Sequence, residues 1–501
     1  MKIALLSPPS RIMNHFRPPL ALMYISGYLK KNGIASKIID VTFEHQIRDK
    51  AFLNNKEKYL MEVEDTIVER VMLLDTDIVG ITCYTPEISE VERLANKIKS
   101  RKPAVKIVAG GIHPTLYPDD LLGESSPFDF VVIGEGEITM LELVKAIRSG
   151  SGGYSSIQGI GYFNRDAGKA VITEIRPLAE NLDAISFPDY EDLDMNYYTT
   201  ASPYAIRGVF TRSFYILSSR GCPSSCTFCV AKKLREFNGI KKFVRLRSPL
   251  SLFQEIQELK DKYKIDSFYF IDDLFTLKKN NVRAFCDLLI KDKSHLIWGC
   301  SSKVNTVDYE TLKAMRDAGC VQIDFGVEKG ADEALRNLRK GITVEQIRNT
   351  FRYCHDLGIR TFANMLVNTP GEEEKDLNDI IDIVNAIKPN IVSFNVFTPY
   401  PGCEIFDSLP QKLLRDDYPL LMGDPTVLVS EMPDKFRFAS HTVDFKLWVK
   451  EATRKYNKIL PNISIYTNIR YLRNLVYSRQ KINYFRQITS LFREFAIQKF
   501  S

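Results

Sequence analysis

Three cysteines fall within eight residues of the segment Arg220-Gly221-Cys222-Pro223-Ser224-Ser225-Cys226-Thr227-Phe228-Cys229, at C-x3-C-x2-C spacing. Thiolates this close on one loop can ligate a 4Fe-4S cluster, which is otherwise held by four cysteines. With three, one iron keeps an open position that can chelate a substrate or cosubstrate. Structural zinc takes four nitrogen or sulfur ligands, and no further Cys or His occurs in the fifty residues after Cys229. Buried core thiols are common, but three so close together after a strand are not. The spacing therefore points to cluster chemistry.

Residues 211–409 alternate apolar runs with amphipathic stretches, which predicts a partial β/α barrel of about six units. Strands are expected at 214–217, 268–271, 297–300, 322–326, 361–366 and 391–396, with helices such as 250–263 and 307–318 between them. In such barrels the chemistry sits at the carboxyl ends of the strands, and the cysteine loop follows the first. Asp272 and Asp273 follow the second. A carboxylate there meets an ammonium group or caps the next helix. Cys300 and Cys403 also fall at the expected mouth, and the other cysteines read as core or pocket thiols.

Residues 1–150 read as a doubly wound parallel sheet, with strands at 3–6, 35–40, 77–82, 106–110 and 130–134. Ligands of such sheets lie beyond the carboxyl ends, where strand order reverses. The candidate residues there are Pro8, Thr82, Tyr84, Thr85, Gly110, Gly111, His113, Gly134, Glu135, Gly136 and Glu137. Paired glycines let a large ligand approach the backbone. Residues 151–210 form a bridging segment, with a breaker-rich stretch at 149–153 and a hairpin from 159–163 and 169–173.

Residues 410–501 form a basic helical C-terminal region, in which Leu472, Leu475, Val476, Phe485, Ile488, Leu491, Phe492 and Phe495 recur at helical spacing. From His441 onward twelve Lys and Arg face three acids, a surplus of nine that leaves the rest of this +6 chain at −3. The plain reading is a helical region packing its apolar face on the barrel. A basic amphipathic helix also fits peripheral contact with an anionic membrane. Nucleic acid is not expected, since no recognition motif accompanies the charge.

A hydrophobic share of 45% with 26% charged residues is that of a folded soluble protein. No run approaches the roughly 20 apolar residues of a transmembrane helix, and the first strand is too short for a signal peptide. Nine cysteines without a secretory signal fit a reducing cytoplasm.

The cysteine segment, with Phe228 before its last cysteine, resembles the signature of radical S-adenosylmethionine (SAM) enzymes. The resemblance implies a 4Fe-4S cluster on Cys222, Cys226 and Cys229, whose open iron binds the amino and carboxylate groups of SAM. An electron from an external donor then cleaves a carbon–sulfur bond and releases a deoxyadenosyl radical. The same analogy places Phe228, Asp272, Asp273, Glu328 and Asn364 at SAM. Glu328 stands in a Glu-Ser-Gly segment in which Lys329 replaces Ser. Residues 364–372 match a Gly-x-x-x-Gly-x-Pro-Gly-Glu segment, with Asn368 at the second Gly.

Gly110-Gly111-x-His113-Pro114 and Gly134-Glu135-Gly136-Glu137 resemble the cobalamin-binding domain fused to many radical SAM enzymes. The Asp-x-His-x-x-Gly segment that ligates cobalt in mutases is missing after the first strand, where His15 stands instead. The resemblance implies a lower cobalt face without His. A domain that has lost cobalamin and serves as a scaffold is the alternative.

Together these implied features describe an α/β chain with an N-terminal Rossmann-like cobalamin domain, a (β/α)6 radical SAM barrel and a C-terminal helical region. The implied function is a cobalamin-dependent radical SAM methyltransferase acting on an unactivated carbon of a small-molecule or lipid substrate. A second SAM remethylates the cobalt. Its rivals are oxidative cyclisation or ring rearrangement with the same cofactors and, outside catalysis, an iron–sulfur or cobalamin sensor.

Overall fold

The computed structural model describes residues 2–9, 17–41, 55–150, 152–237, 243–409, 412–421 and 436–457, with 471–473, 476 and 489 beyond them. The chain forms two compact units. The first comprises Met1–Met195, Lys233–Phe243 and Pro399–Asp424, and the second Asn196–Lys232, Val244–Thr398 and Pro425–Ser501.

The first unit holds a seven-stranded sheet in the order β2-β1-β3-β4-β5-β6-β7. Its strands are β1 Ile3–Leu6, β2 Ser36–Ile39, β3 Ile78–Thr82, β4 Lys106–Gly110, β5 Phe130–Val132, β6 Ile160–Asn164 and β7 Lys169–Ile172. β1 to β5 pair in parallel. Every residue of β1 and β5 is buried, as a sheet covered on both faces requires. The helix Ile88–Arg101 turns Val91, Leu94, Ala95 and Ile98 into the core with Ile81, Ile107 and Val131, the spacing of one helical face. Strand order reverses between β1 and β3, which sets the ligand crevice at the carboxyl ends.

The second unit holds a six-stranded sheet in the order β15-β14-β13-β12-β11-β8, parallel at every step. Its strands are β8 Ser213–Ile216, β11 Ser267–Phe270, β12 Ile297–Ser302, β13 Cys320–Glu328, β14 Arg360–Val367 and β15 Ile391–Val396, and a short pair, β9 Ser219–Arg220 and β10 Arg245–Leu246, stands apart. These are the six expected barrel units. Phe268, Phe270, Phe285 and Trp298 stack between the strands and the helix Lys279–Lys291, with Phe268 parallel to Trp298 at 5.9 Å. Edge strand β15 is covered by the helix Phe445–Tyr456, whose Trp448 meets Phe394 edge-on at 5.2 Å. Asn457 bonds both the N–H and the carbonyl of Val392, at 2.9 and 2.8 Å, closing an edge that would otherwise be open to pairing.

The compact units do not follow the sequence boundaries at 150, 210 and 409. The hairpin β6–β7 joins β5 antiparallel and extends the first sheet. Residues 196–210 pack with the barrel, where Ser202 bridges Thr211. Residues 399–409 and 412–421 belong to the first unit, where Arg415 pairs with Glu92. Cys300 is correspondingly not at the mouth: it shares the helix-facing side of β12 with Trp298 and is fully buried. Cys403 is buried in the first unit, its Sγ accepting the Phe406 N–H at 3.4 Å. His15, Leu475, Phe485, Ile488, Leu491, Phe492 and Phe495 lie outside the described residues, while Leu472 and Val476 are exposed. Among the described residues no helix is long and apolar enough to cross a membrane.

Candidate active site

In the second unit, β8 delivers the chain to the cysteine loop at its carboxyl end. Gly221 takes φ +90, a left-handed turn that favours glycine. Asp272, immediately beyond β11, holds the start of the loop: its carboxylate accepts the Ser218 N–H at 3.0 Å and the Ser219 hydroxyl at 2.5 Å. Burial outweighs these bonds and pushes its carboxyl up to about 6. Thr227 N–H donates to the Leu338 carbonyl at 3.1 Å and fixes the far side. Asp273 is exposed, and desolvation raises its carboxyl. One aspartate therefore anchors the loop, and the charge of the other acts on the Cys229 thiol.

Cys226 is buried, and Cys222 and Cys229 are half-buried; all three are free thiols. Burial raises Cys226, against the pull of Lys340 and Lys303, and pushes Cys229 up to about 11. Among the described residues no three Cys, His, Asp or Glu side chains converge on a single metal ion. In cluster ligation each thiolate takes its own iron. A free-thiol triad on one anchored loop, faced by two lysines that favour the thiolate form, fits a 4Fe-4S cluster.

Lys303, directly after β12, donates to Ser224 Oγ at 3.2 Å. Lys340 donates to Glu328 Oε1 at 2.7 Å and lies 5.7 Å from the Phe228 ring centroid. Burial pulls Lys340 down, but Glu328 and Cys226 outweigh it and hold the ammonium above the ordinary lysine value. Glu328 itself has φ +68, at a register shift between β13 and β14. Gly326 makes room for this pair, because a Cβ there would stand 2.5 Å from Glu328 Oε1. Asn364 is half-buried on β14 opposite Gly326, its Nδ2 3.5 Å from the Phe325 carbonyl. Asn368, at the family's glycine position, takes φ +65, a conformation Asn tolerates.

In the first unit the carboxyl ends of β3, β4 and β5 come together. Gly111 has φ +113, and a Cβ there would be 2.8 Å from the Cys83 carbonyl. Gly134, at φ +82, has no heavy atom within 4 Å of where a Cβ would stand, and Gly110 meets only Val132 at 3.9 Å. Thr115 ties the loops together: its Oγ1 donates to the Gly111 carbonyl at 2.7 Å and accepts the Gly134 N–H at 3.0 Å. Tyr84 and Ile112 are exposed beside them, at 49% and 36%. His113 is fully buried, with Nδ1 3.2 Å from Thr85 Oγ1. Its Nε2 lies 3.4 Å from Asp120 but has no hydrogen-bond partner. Pro8 and Glu137 are buried, whereas Thr82, Glu135 and Gly136 are half-buried. A Cβ on Gly136 would press on Ile25 at 3.0 Å, so this glycine serves helix packing. The open glycine cradle, flanked by exposed Tyr84 and Ile112 and an unsatisfied His113 nitrogen, fits a large ligand such as cobalamin.

Sequence reasoning missed Lys303, Lys340, Ile112 and Tyr418. Tyr418 packs edge-on to His113 at 6.2 Å from more than three hundred residues away. Lys303 stands at a strand end and was open to the same argument as Asp272. The other three carry no local periodic signal.

Residues 15–144 match the B12 binding domain and residues 216–384 the radical SAM superfamily. The chain is 29% identical over 413 residues to an uncharacterised methyltransferase of Pyrococcus horikoshii, covering 81% of this chain and 83% of that one. It is 31% identical over 406 residues to the anaerobic magnesium-protoporphyrin IX monomethyl ester cyclase of Rubrivivax gelatinosus, covering 80% and 68%. Among solved structures, the radical SAM methyltransferase TsrM of Kitasatospora setae, bound to tryptophan and a SAM analogue, aligns with a TM-score of 0.63. At 19% identity over 82% of this chain and 77% of that one, this likeness is one of fold.

Proposed function

The chain belongs to the cobalamin-dependent radical SAM enzymes, and from that premise we propose that it methylates an unactivated carbon of a small-molecule or lipid substrate. Its cofactors are a 4Fe-4S cluster, SAM and cobalamin. When bound, these supply a hydrogen-abstracting deoxyadenosyl radical and a transferable methyl group. The protein's part is to place them. Cys222, Cys226 and Cys229 hold the cluster on a loop anchored by Asp272. Phe228, Asp273, Glu328 and Asn364 surround SAM, with Lys340 orienting the Glu328 carboxylate. Gly110, Gly111 and Gly134 admit cobalamin to the backbone beside Tyr84 and Thr85. Reduction comes from an external electron donor.

The observation that carries the proposal is the presence, in one chain, of the anchored three-cysteine loop and the open glycine cradle. Kinship with the Pyrococcus methyltransferase along 81% of the chain supports methyl transfer. The cyclase relative favours a second reading, in which the same cofactors oxidise or rearrange the substrate. Product mass separates the two, since only methylation adds one methylene unit. An unchanged carbon count in the product overturns the proposal.

A further inference from the structure

Backbone strain at a non-glycine residue persists only where the surroundings hold it. Glu328, at φ +68, is held from its C-terminal side. The next residue, Lys329, is 2% exposed, and its ammonium pairs with Glu372. Lys329 N–H also donates to the Val327 carbonyl at 2.9 Å, which tightens the turn around Glu328.

Glu372 is in turn enclosed. Oε1 accepts the Asn368 N–H at 2.9 Å, and Oε2 accepts the Thr369 N–H and hydroxyl at 3.3 and 3.2 Å. His441 Nε2 lies 3.2 Å from Oε1. Because His441 Nδ1 accepts the Val443 N–H at 3.3 Å, the ring hydrogen sits on Nε2 and is donated to Glu372. Asn368 fastens the same stretch of chain: Oδ1 accepts the Phe438 N–H at 2.9 Å, and Nδ2 donates to the Phe436 carbonyl at 2.7 Å. Ser440 N–H completes the seam by donating to the Glu372 carbonyl at 2.8 Å. Lys329 and Asn368 are two of the positions where this chain departs from its family's pattern. Asn368 docks residues 436–438 directly, whereas Lys329 holds Glu372, which His441 and Ser440 meet.

We infer that Lys329, through Glu372 and the docked His441 segment, is a positioning residue for SAM. It keeps the Glu328 carboxylate turned toward Lys340 and the cysteine loop. The inference rests on reading the barrel mouth as the SAM site, and not on methyl transfer.

The test uses the full chain with its cluster reconstituted. Lys329→Met alone leaves Glu372 buried without a counter-charge and is expected to fold poorly. Lys329→Met/Glu372→Gln removes both charges at similar volume, and Asn368→Gly restores the family's glycine at a compatible φ. For each, iron content, the SAM-induced change in the electron paramagnetic resonance spectrum of the reduced cluster, and trypsin cleavage at Arg437 are measured. Full iron content with SAM affinity weakened about tenfold in the double variant, and faster cleavage with weaker SAM binding in Asn368→Gly, are expected. Deoxyadenosine formation at saturating SAM should fall far less than the affinity. Wild-type affinity in both variants overturns the inference and leaves Lys329 a structural residue. A wild-type protein with a full cluster and no SAM response overturns the SAM site itself.

Discussion

Lys340 places its ammonium 2.7 Å from Oε1 of Glu328, so a cation from just beyond the short helix Asp332–Asn337 meets a carboxylate on a left-handed residue at the end of β13. The pair is only 12% and 11% exposed. It gives the cysteine loop a fixed charge partner on the side of Phe228.

Lys340→Met removes the cation and leaves Glu328 without its counter-charge in a poorly solvated place. SAM cleavage is expected to fall about 10- to 100-fold, or about 1.4 to 2.8 kcal/mol of transition-state stabilisation. Iron content should stay at the wild-type level, because Lys340 is not a ligand. Iron and deoxyadenosine assays on one preparation check both. Loss of iron in proportion to activity would mean that the pair serves the loop and not SAM.

Asp272 makes a pH prediction of definite sign. Its carboxyl is raised to about 6 in the folded protein, from 3.8, so the native state binds the extra proton between those values. Ionisation in this buried site opposes stability above about pH 6, and the opposition is relieved as pH falls toward 4. Relative to Asp272→Asn, the wild type should gain about 2 kcal/mol between about pH 7 and about pH 4.5. Urea unfolding of both proteins at about pH 7 and about pH 4.5 measures the difference. A relative loss on acidification would contradict the burial argument.

The fold was legible because its signals are local. Apolar strand runs, helical periodicity and strand-end glycines predicted both sheets, and the cysteine spacing marked the loop. The anchoring role of Asp272 was neither of the two readings open to the sequence, an ammonium partner or a helix cap, because its partners Ser218 and Ser219 lie more than fifty residues earlier. What escaped were pairings across long separations. Nothing near Lys329 indicates His441, and nothing near His113 indicates Tyr418. Lys329 and Asn368 read as losses of family residues, yet the Lys329 ammonium pairs with Glu372, which His441 also meets, and the Asn368 side chain bonds Phe436 and Phe438 about 70 residues away.

The glycine cradle predicts a contrast between two substitutions. Gly111→Ala meets the Cys83 carbonyl at 2.8 Å, so the first unit should lose stability by more than the roughly 1–2 kcal/mol of left-handed strain alone. Gly134→Leu places its side chain in open space. That variant should lose only the roughly 1–2 kcal/mol of left-handed strain, and so stay folded but retain far less cobalamin. Cobalamin per chain, from absorbance after gel filtration, should fall severalfold. Undiminished cobalamin in Gly134→Leu would move the ligand away from β5.

The most direct test of the account follows the methyl group. The protein, reconstituted anaerobically with its cluster and cobalamin, is given a reductant, SAM with a trideuterated methyl group, and a pool of candidate small molecules and lipids. Mass spectrometry then follows deoxyadenosine, S-adenosylhomocysteine and every species that gains the label. The account predicts deoxyadenosine together with label on cobalamin and on one acceptor, all lost in Cys226→Ala except label on cobalamin. Deoxyadenosine formed with substrate turnover, but with no label on either cobalamin or product, would contradict it.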